Sequence, residues 1–367
     1  MMRRSHRGKA VAACIVVAAV AVGELQAPMP VIAATSGVGP VVAVIGDSYV
    51  SGEGLIDAAG LCGRSAGAWG DTVAAAVDAR EVRIAACSSA TVADLVQGGR
   101  LAEIGQLESV RATQAPELLL LLIGGNDLGF TELVGDCLGF VDLQAAPTAD
   151  VLSAASWTAL VDGESSSAGC TASAADLRAR VDDLAAPDRF ELPNGATGGL
   201  AELYAVAADV VAPGGNLVVV GYPQLFAPPA AWPARYGLRC HGLRARDADA
   251  IRSTSLALDV LQAAEVDRAA SMVDGVTLSF VSVQAAFASP AGVDHGLCGD
   301  SDAYLNGLTV VEGGVDVTAL LAQLSAGGGV DLSLLGGRPG GSFHPNANGH
   351  AAYATAVLQA LQRSERS

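Results

Sequence analysis

Three clusters of residues with chemical capacity follow one another along the chain. Ser48 stands in Ile45-Gly46-Asp47-Ser48-Tyr49, directly after an apolar run. A serine hydroxyl attacks a carbonyl well only when an adjacent base takes its proton. Gly46 permits a tight turn there. If a helix follows, its first N–H groups point at whatever the hydroxyl attacks. The same tripeptide also reads as a serine that merely caps a helix. Gly124-Gly125-Asn126-Asp127 follows a second apolar run. Its glycines let backbone approach a ligand, and Asn126 can donate its amide to a developing oxyanion. An ordinary turn has the same composition. His344 stands in Ser342-Phe343-His344-Pro345-Asn346. The following proline biases it to an extended conformation and can open a helix, which would fix an imidazole at the helix entrance. His350 is the rival base, expected on that helix as a packing or surface residue. His241 and His295 lie near cysteines and read as loop residues. Gly63-Arg64-Ser65-Ala66-Gly67 matches the G-x-S-x-G elbow, but that motif needs a strand immediately before it. No β-branched run occupies residues 57–62, so Ser65 ranks below Ser48.

These residues need a frame, and the chain alternates strand and helix patterns. Apolar runs at 41–45, 81–86, 118–123, 217–221 and 276–283 read as five strands. Continuous apolar strands suggest a sheet covered on both faces, hence a parallel one. Helical patterns lie between and after them, at 71–79, 101–110, 172–184, 200–211, 244–272 and 346–362. The plan is that of an α/β layer fold, in which ligands bind beyond the carboxyl ends of strands. Residues 140–170 and 286–340 are rich in Ala, Gly, Ser and Asp and read as long excursions from a single domain spanning 35–367.

The chain has 367 residues, 51% hydrophobic and 16% charged, which argues against intrinsic disorder. Its net charge of −17 argues against nucleic acid or an anionic membrane surface as partner. Arg3, Arg4, Arg7 and Lys9 precede an apolar run from Ala10 to Val22, and a cleavage-site pattern follows at Ile32-Ala33-Ala34. This is the order of a secretory signal peptide, read as residues 1–34. The run is too short to span a bilayer comfortably, so the exported chain is expected to keep no membrane anchor. Its removal takes four of 21 basic and one of 38 acidic groups, leaving −20 and no lysine. Six of the seven cysteines then remain: Cys62, Cys87, Cys137, Cys170, Cys240 and Cys298. An even count in an exported chain reads as disulfides, but six cysteines allow fifteen pairings. Zinc would need paired ligand motifs. Only Cys240-His241 comes near, so no metal and no cofactor is expected.

Taken together, the three clusters resemble the SGNH, or GDSL, hydrolases in type and order. Residues 48–54, SYVSGEG, look like the serine block of the secreted bacterial esterase and lipase branch. Cys87-Ser88-Ser89-Ala90-Thr91 resembles its second block, and residues 342–350, SFHPNANGH, its histidine block. The resemblance spans residues 41–355. It implies a three-layer α/β/α sandwich with a five-stranded parallel sheet, flavodoxin-like in plan. It implies ester hydrolysis through an acyl-enzyme, with Ser48 as nucleophile and His344 as base. The oxyanion would be held by the Ser48 N–H, the second-block N–H at Ser89 and the Asn126 amide. It also implies the disulfides Cys62–Cys87, Cys137–Cys170 and Cys240–Cys298. Two positions depart from the family pattern. Ser89 stands where glycine is usual. Gly341 stands where many members carry an aspartate three residues before the histidine, and some relatives use the backbone carbonyl at that position. The expectation is therefore a Ser–His dyad with the Gly341 carbonyl accepting from His344. The substrate would be a small-molecule or lipid ester and the enzyme a secreted monomer. A carbohydrate O-deacetylase of the same mechanism, or a non-catalytic binding protein on this scaffold, are the competing functions. Trp69, Trp157 and Trp232 are too few and scattered to favour a sugar site.

Overall fold

The apolar runs pair into one sheet. The computed structural model describes residues 31–98, 104–111, 114–130, 133, 174–237, 239–241, 243–288, 294–299, 302–307 and 341–364. The sheet strands are β1 (Val31–Ala34), β2 (Val41–Gly46), β3 (Glu81–Ile84), β4 (Leu118–Leu122), β5 (Asn216–Val220) and β6 (Thr277–Val281), in spatial order β1-β3-β2-β4-β5-β6. The five strands β2 to β6 are parallel, and β1 adds an antiparallel edge beside β3. Every residue of β2 and β4 is buried, as a parallel sheet covered on both faces requires.

The described helices are α1 (Ser48–Ser51), α2 (Trp69–Ala76), α3 (Val92–Val96), α4 (Gln106–Arg111), α5 (Ala174–Asp183), α6 (Leu200–Ala208), α7 (Ala245–Ala270) and α8 (Ala347–Ser364). Helices α2 and α8 pack together, with Trp69 stacked on Tyr353 at 5.7 Å. Helices α5 and α6 pack on α7. Gly70 lets α2 lie close on β2, since a Cβ there would come within 2.7 Å of Val44 Cγ1. On β3, the buried Arg83 guanidinium binds the carbonyls of Val110, at 2.8 Å, and of Gln114, closing the carboxyl end of α4.

The five parallel strands run second-first-third-fourth-fifth across the sheet. The chain reverses its direction of travel between β2 and β4, which is the switch point where open α/β sheets bind ligands. Two expectations shift. β1 falls inside the segment read as a signal peptide, because Val31-Ile32-Ala33-Ala34 has both the small residues of a cleavage site and the apolar run of a strand. Of the helix expected at 101–110, the described part is α4, Gln106–Arg111, and a further short helix, α3, precedes it. The excursions at 140–170 and 286–340 lie largely outside the described residues.

Candidate active site

Ser48 emerges at that switch point. β2 ends at Gly46 with φ +136, and a Cβ there would lie 2.0 Å from the Leu122 carbonyl oxygen. Only glycine fits. Gln106 on α4 closes both of its backbone groups: Gly46 N–H donates to Oε1 at 2.7 Å, and Nε2 donates to the Gly46 carbonyl at 3.0 Å. Asp47 caps α1 by accepting from the Tyr49 N–H at 2.9 Å, so Ser48 is the first residue of a helix. Burial pushes the Asp47 carboxyl up to about 7, against the pull of its hydrogen bonds from Tyr222 and Tyr49.

The histidine arrives from the far end of the chain. Leu305 bridges Pro345, and Asn306 holds the turn from both sides. Its N–H donates to the His344 carbonyl at 2.8 Å, its carbonyl accepts from the Phe343 N–H at 2.9 Å, and its amide donates to the Gly54 carbonyl at 2.8 Å. Gly54, at φ +101, lies against the imidazole stem; a Cβ there would sit 2.9 Å from His344 Cβ. The Tyr49 hydroxyl donates to the Phe343 carbonyl at 2.6 Å. Asn346 caps α8, accepting from the N–H groups of Asn348 and Gly349.

This turn brings His344 Nε2 to 2.7 Å from Ser48 Oγ. Nδ1 lies 2.8 Å from the Ser342 carbonyl. The orienting group is thus one residue later than expected. The Gly341 carbonyl instead meets the His344 backbone N–H, at 3.4 Å. Phe343 holds a left-handed φ of +62, in the turn that brings the Ser342 carbonyl under the ring. A carbonyl only accepts, so Nδ1 carries the hydrogen and Nε2 presents its lone pair to the serine. Among the described residues the two ring nitrogens meet a hydroxyl and a backbone carbonyl, not a carboxylate.

The other side of the crevice is built by the segments after β3 and β4. Ser89 has φ +62, the conformation that explains why glycine is usual at this position. Asn126 Nδ2 donates to the Ala90 carbonyl at 2.9 Å. An amide carries two such hydrogens, so this bond orients the group without consuming its donor capacity. Both Asp127 oxygens accept from the Val92 N–H at 3.2 Å, which starts α3. Burial raises that carboxyl to about 6.

The rival residues are engaged elsewhere. Ser65 donates to Asp57 at 2.5 Å and accepts from the Gly67 N–H, with no strand before it. His350 is buried on α8 and accepts at Nδ1 from the Trp69 N–H, at 3.2 Å. Burial, and secondly His344, pull its pKa down to about 4. His295 stacks on Tyr304. Cys240, His241 and Cys298 lie together, but the two sulfurs are bonded to each other and offer no thiolate to a metal. Cys62–Cys87 is also formed, whereas Cys137 and Cys170 lie outside the described residues.

A model of the GDSL-like lipase/acylhydrolase family matches residues 44–260, more than half of the chain. The chain belongs to this family. That places its activity, at the level of the family, among acyl-ester hydrolases. Ser48, Ser89 and Asn126 fall within the match, and His344 lies beyond it. The fold is similar to that of an extracellular lipase from Streptomyces rimosus, with a TM-score of 0.52 and 22% identity over 87% of this chain and 98% of that one. It is equally similar to phospholipase A1 from Streptomyces albidoflavus NA297, with a TM-score of 0.53 and 22% identity over 88% of this chain and 99% of that one. No curated protein matches the sequence.

Tyr49, Gly54, Tyr222, Asn306 and Ser342 were not singled out from sequence. Tyr222 had a usable signal, because it follows β5 as Ser48 follows β2 and Asn126 follows β4.

Proposed function

We propose that the chain is an exported serine esterase or lipase that hydrolyses carboxylic esters with a Ser48–His344 dyad. The 2.7 Å approach of His344 Nε2 to Ser48 Oγ carries this reading, with Nδ1 turned to the Ser342 carbonyl. Ser48 Oγ attacks the carbonyl carbon while Nε2 takes its proton. The resulting oxyanion is met by the Ser48 N–H, the Ser89 N–H and the Asn126 amide. Collapse expels the alcohol, which takes the proton from His344 and leaves an acyl-serine. Water, deprotonated by the same imidazole, then releases the acid. The Ser342 carbonyl fixes the tautomer but bears no full charge, so it stabilises the imidazolium less than a carboxylate would. The signal-peptide pattern, the two disulfides and the extracellular source of one similar structure support export.

The test is turnover of p-nitrophenyl esters of increasing acyl length beside acetylated polysaccharide. Ester hydrolysis that is lost in both Ser48→Ala and His344→Ala, with the fold kept, is the expected result. Activity confined to the polysaccharide would make the chain a deacetylase instead. No activity on either substrate would favour a binding protein.

A further inference from the structure

Tyr222 lies two residues beyond β5, and its hydroxyl joins the two turns that carry separate parts of the proposed chemistry. It accepts from the Gly125 N–H at 2.9 Å, one residue before Asn126. It donates to Asp47 Oδ2, one residue before Ser48. The Gly125 N–H can only donate, so the tyrosine oxygen accepts there, and its one proton goes to Asp47 when that carboxyl is ionised. The loop is also pressed onto the ring: a Cβ on Gly125 would lie 3.0 Å from both Cζ and the hydroxyl oxygen. Tyr49 packs edge-on against Tyr222 at 5.3 Å, and its own N–H binds the other Asp47 oxygen. Strands β2 and β4 are paired as far as Gly46 and Leu122, and the Asp47 N–H reaches the Leu122 carbonyl at 3.2 Å. Beyond that point the turns diverge, and the tyrosine hydroxyl supplies a cross-link between them.

We infer that Tyr222 is a positioning residue that sets the Asn126 amide against Ser48 through the chain Gly125–Tyr222–Asp47. This rests on the roles proposed above for Ser48 and Asn126. Tyr222 needs no contact with substrate to act in this way. Its loss should affect the transition state, where the amide meets the oxyanion, more than ground-state binding.

A double-mutant cycle on a p-nitrophenyl ester tests this, with kcat and KM referred to the folded fraction of each variant. Tyr222→Phe is expected to lower kcat about 10–100-fold with KM within about twofold. In an Asn126→Ala background the same change should cost less than about threefold, since the amide it positions is gone. An equal loss in both backgrounds would make Tyr222 a purely structural residue and overturn the inference, as would an unchanged kcat. If Tyr222→Phe does not fold, Asp47→Ala removes the acceptor at the other end of the same link, and the same non-additivity with Asn126→Ala is required. Ester hydrolysis surviving in Ser48→Ala would defeat the parent reading. An inactive Ser48→Ala together with an additive cycle would defeat only the role of Tyr222.

Discussion

At the scale of single residues, the histidine block departs from the triad pattern in a way the backbone makes up in part. Gly341 cannot supply a carboxylate, and the Ser342 carbonyl faces Nδ1 in its place. In a triad enzyme, loss of the aspartate can cost about 10⁴ in turnover. Here no single acid should be worth that much. Asp302→Ala, Glu312→Ala and Asp331→Ala should each lower kcat by no more than about tenfold. A thousandfold loss in any one of them, with folding intact, would identify a third catalytic residue. Gly54 gives a second prediction. Its missing side chain is where the His344 stem and the Pro345 carbonyl lie, so Gly54→Ala must displace the imidazole. A shift of about 1 Å can cost about 100-fold in rate. A fall in kcat of that order is expected, with KM little changed; kcat within twofold of wild type would mean that the turn yields elsewhere. Ser48, Asn126 and His344 were legible because each is a reactive type beside a strand or helix end. The Ser342 carbonyl was not, since choosing between neighbouring carbonyls depends on the left-handed turn at Phe343. That conformation is uncommon for a phenylalanine and leaves no trace in hydrophobic pattern.

At the scale of elements, α1 and α8 meet at the site and are held from behind by α2. The Trp69 indole N–H donates to the Tyr49 carbonyl at 2.9 Å, and the Trp69 backbone N–H donates to His350. His350 is therefore a neutral part of the α2–α8 contact, with a folded pKa near 4 against an ordinary 6.5. The sign follows from proton uptake. Between pH 6.5 and 4 the unfolded chain takes a proton at this residue that the folded chain refuses, so stability is lost as pH falls through that window. The full loss is about 3 kcal/mol. Asp47 acts in the opposite sense, because its folded pKa is raised to about 7 and its stabilisation fades as pH rises toward that value. The difference between wild type and His350→Asn isolates the histidine. Urea unfolding at pH 7 and pH 4 should show the variant gaining on wild type by about that amount at the lower pH. A difference that stays flat with pH would contradict the buried neutral assignment. Strand and helix order was readable from apolar runs of the right length. β1 was not, because an antiparallel edge strand of only four apolar residues has no periodicity of its own and is defined by its partner, β3.

At the scale of the whole molecule, strand order does what no local motif can do. It brings residues 296 positions apart in sequence into a hydrogen bond at the one place where the sheet reverses its winding. Two disulfides are formed among the described residues. Cys62–Cys87 ties the loop after α1 to the segment that carries Ser89, and Cys240–Cys298 ties the short hairpin strand Arg239–Cys240, before α7, to the segment before Tyr304. Sequence separations of 25 and 58 correspond to about 3.5 and about 4 kcal/mol of stabilisation. Cys62→Ala/Cys87→Ala should lose about the first amount in urea unfolding, and a loss below about 1 kcal/mol would contradict this account. The pairing was available only through the family resemblance, since counting leaves fifteen choices. The most direct measurement of the central claim is the position of a covalent label. Incubation with a fluorophosphonate, followed by peptide mass mapping, should place one adduct on Ser48, with labelling slowed by orders of magnitude in His344→Ala. An adduct on Ser65, or labelling of Ser48 at an undiminished rate without His344, would contradict the dyad.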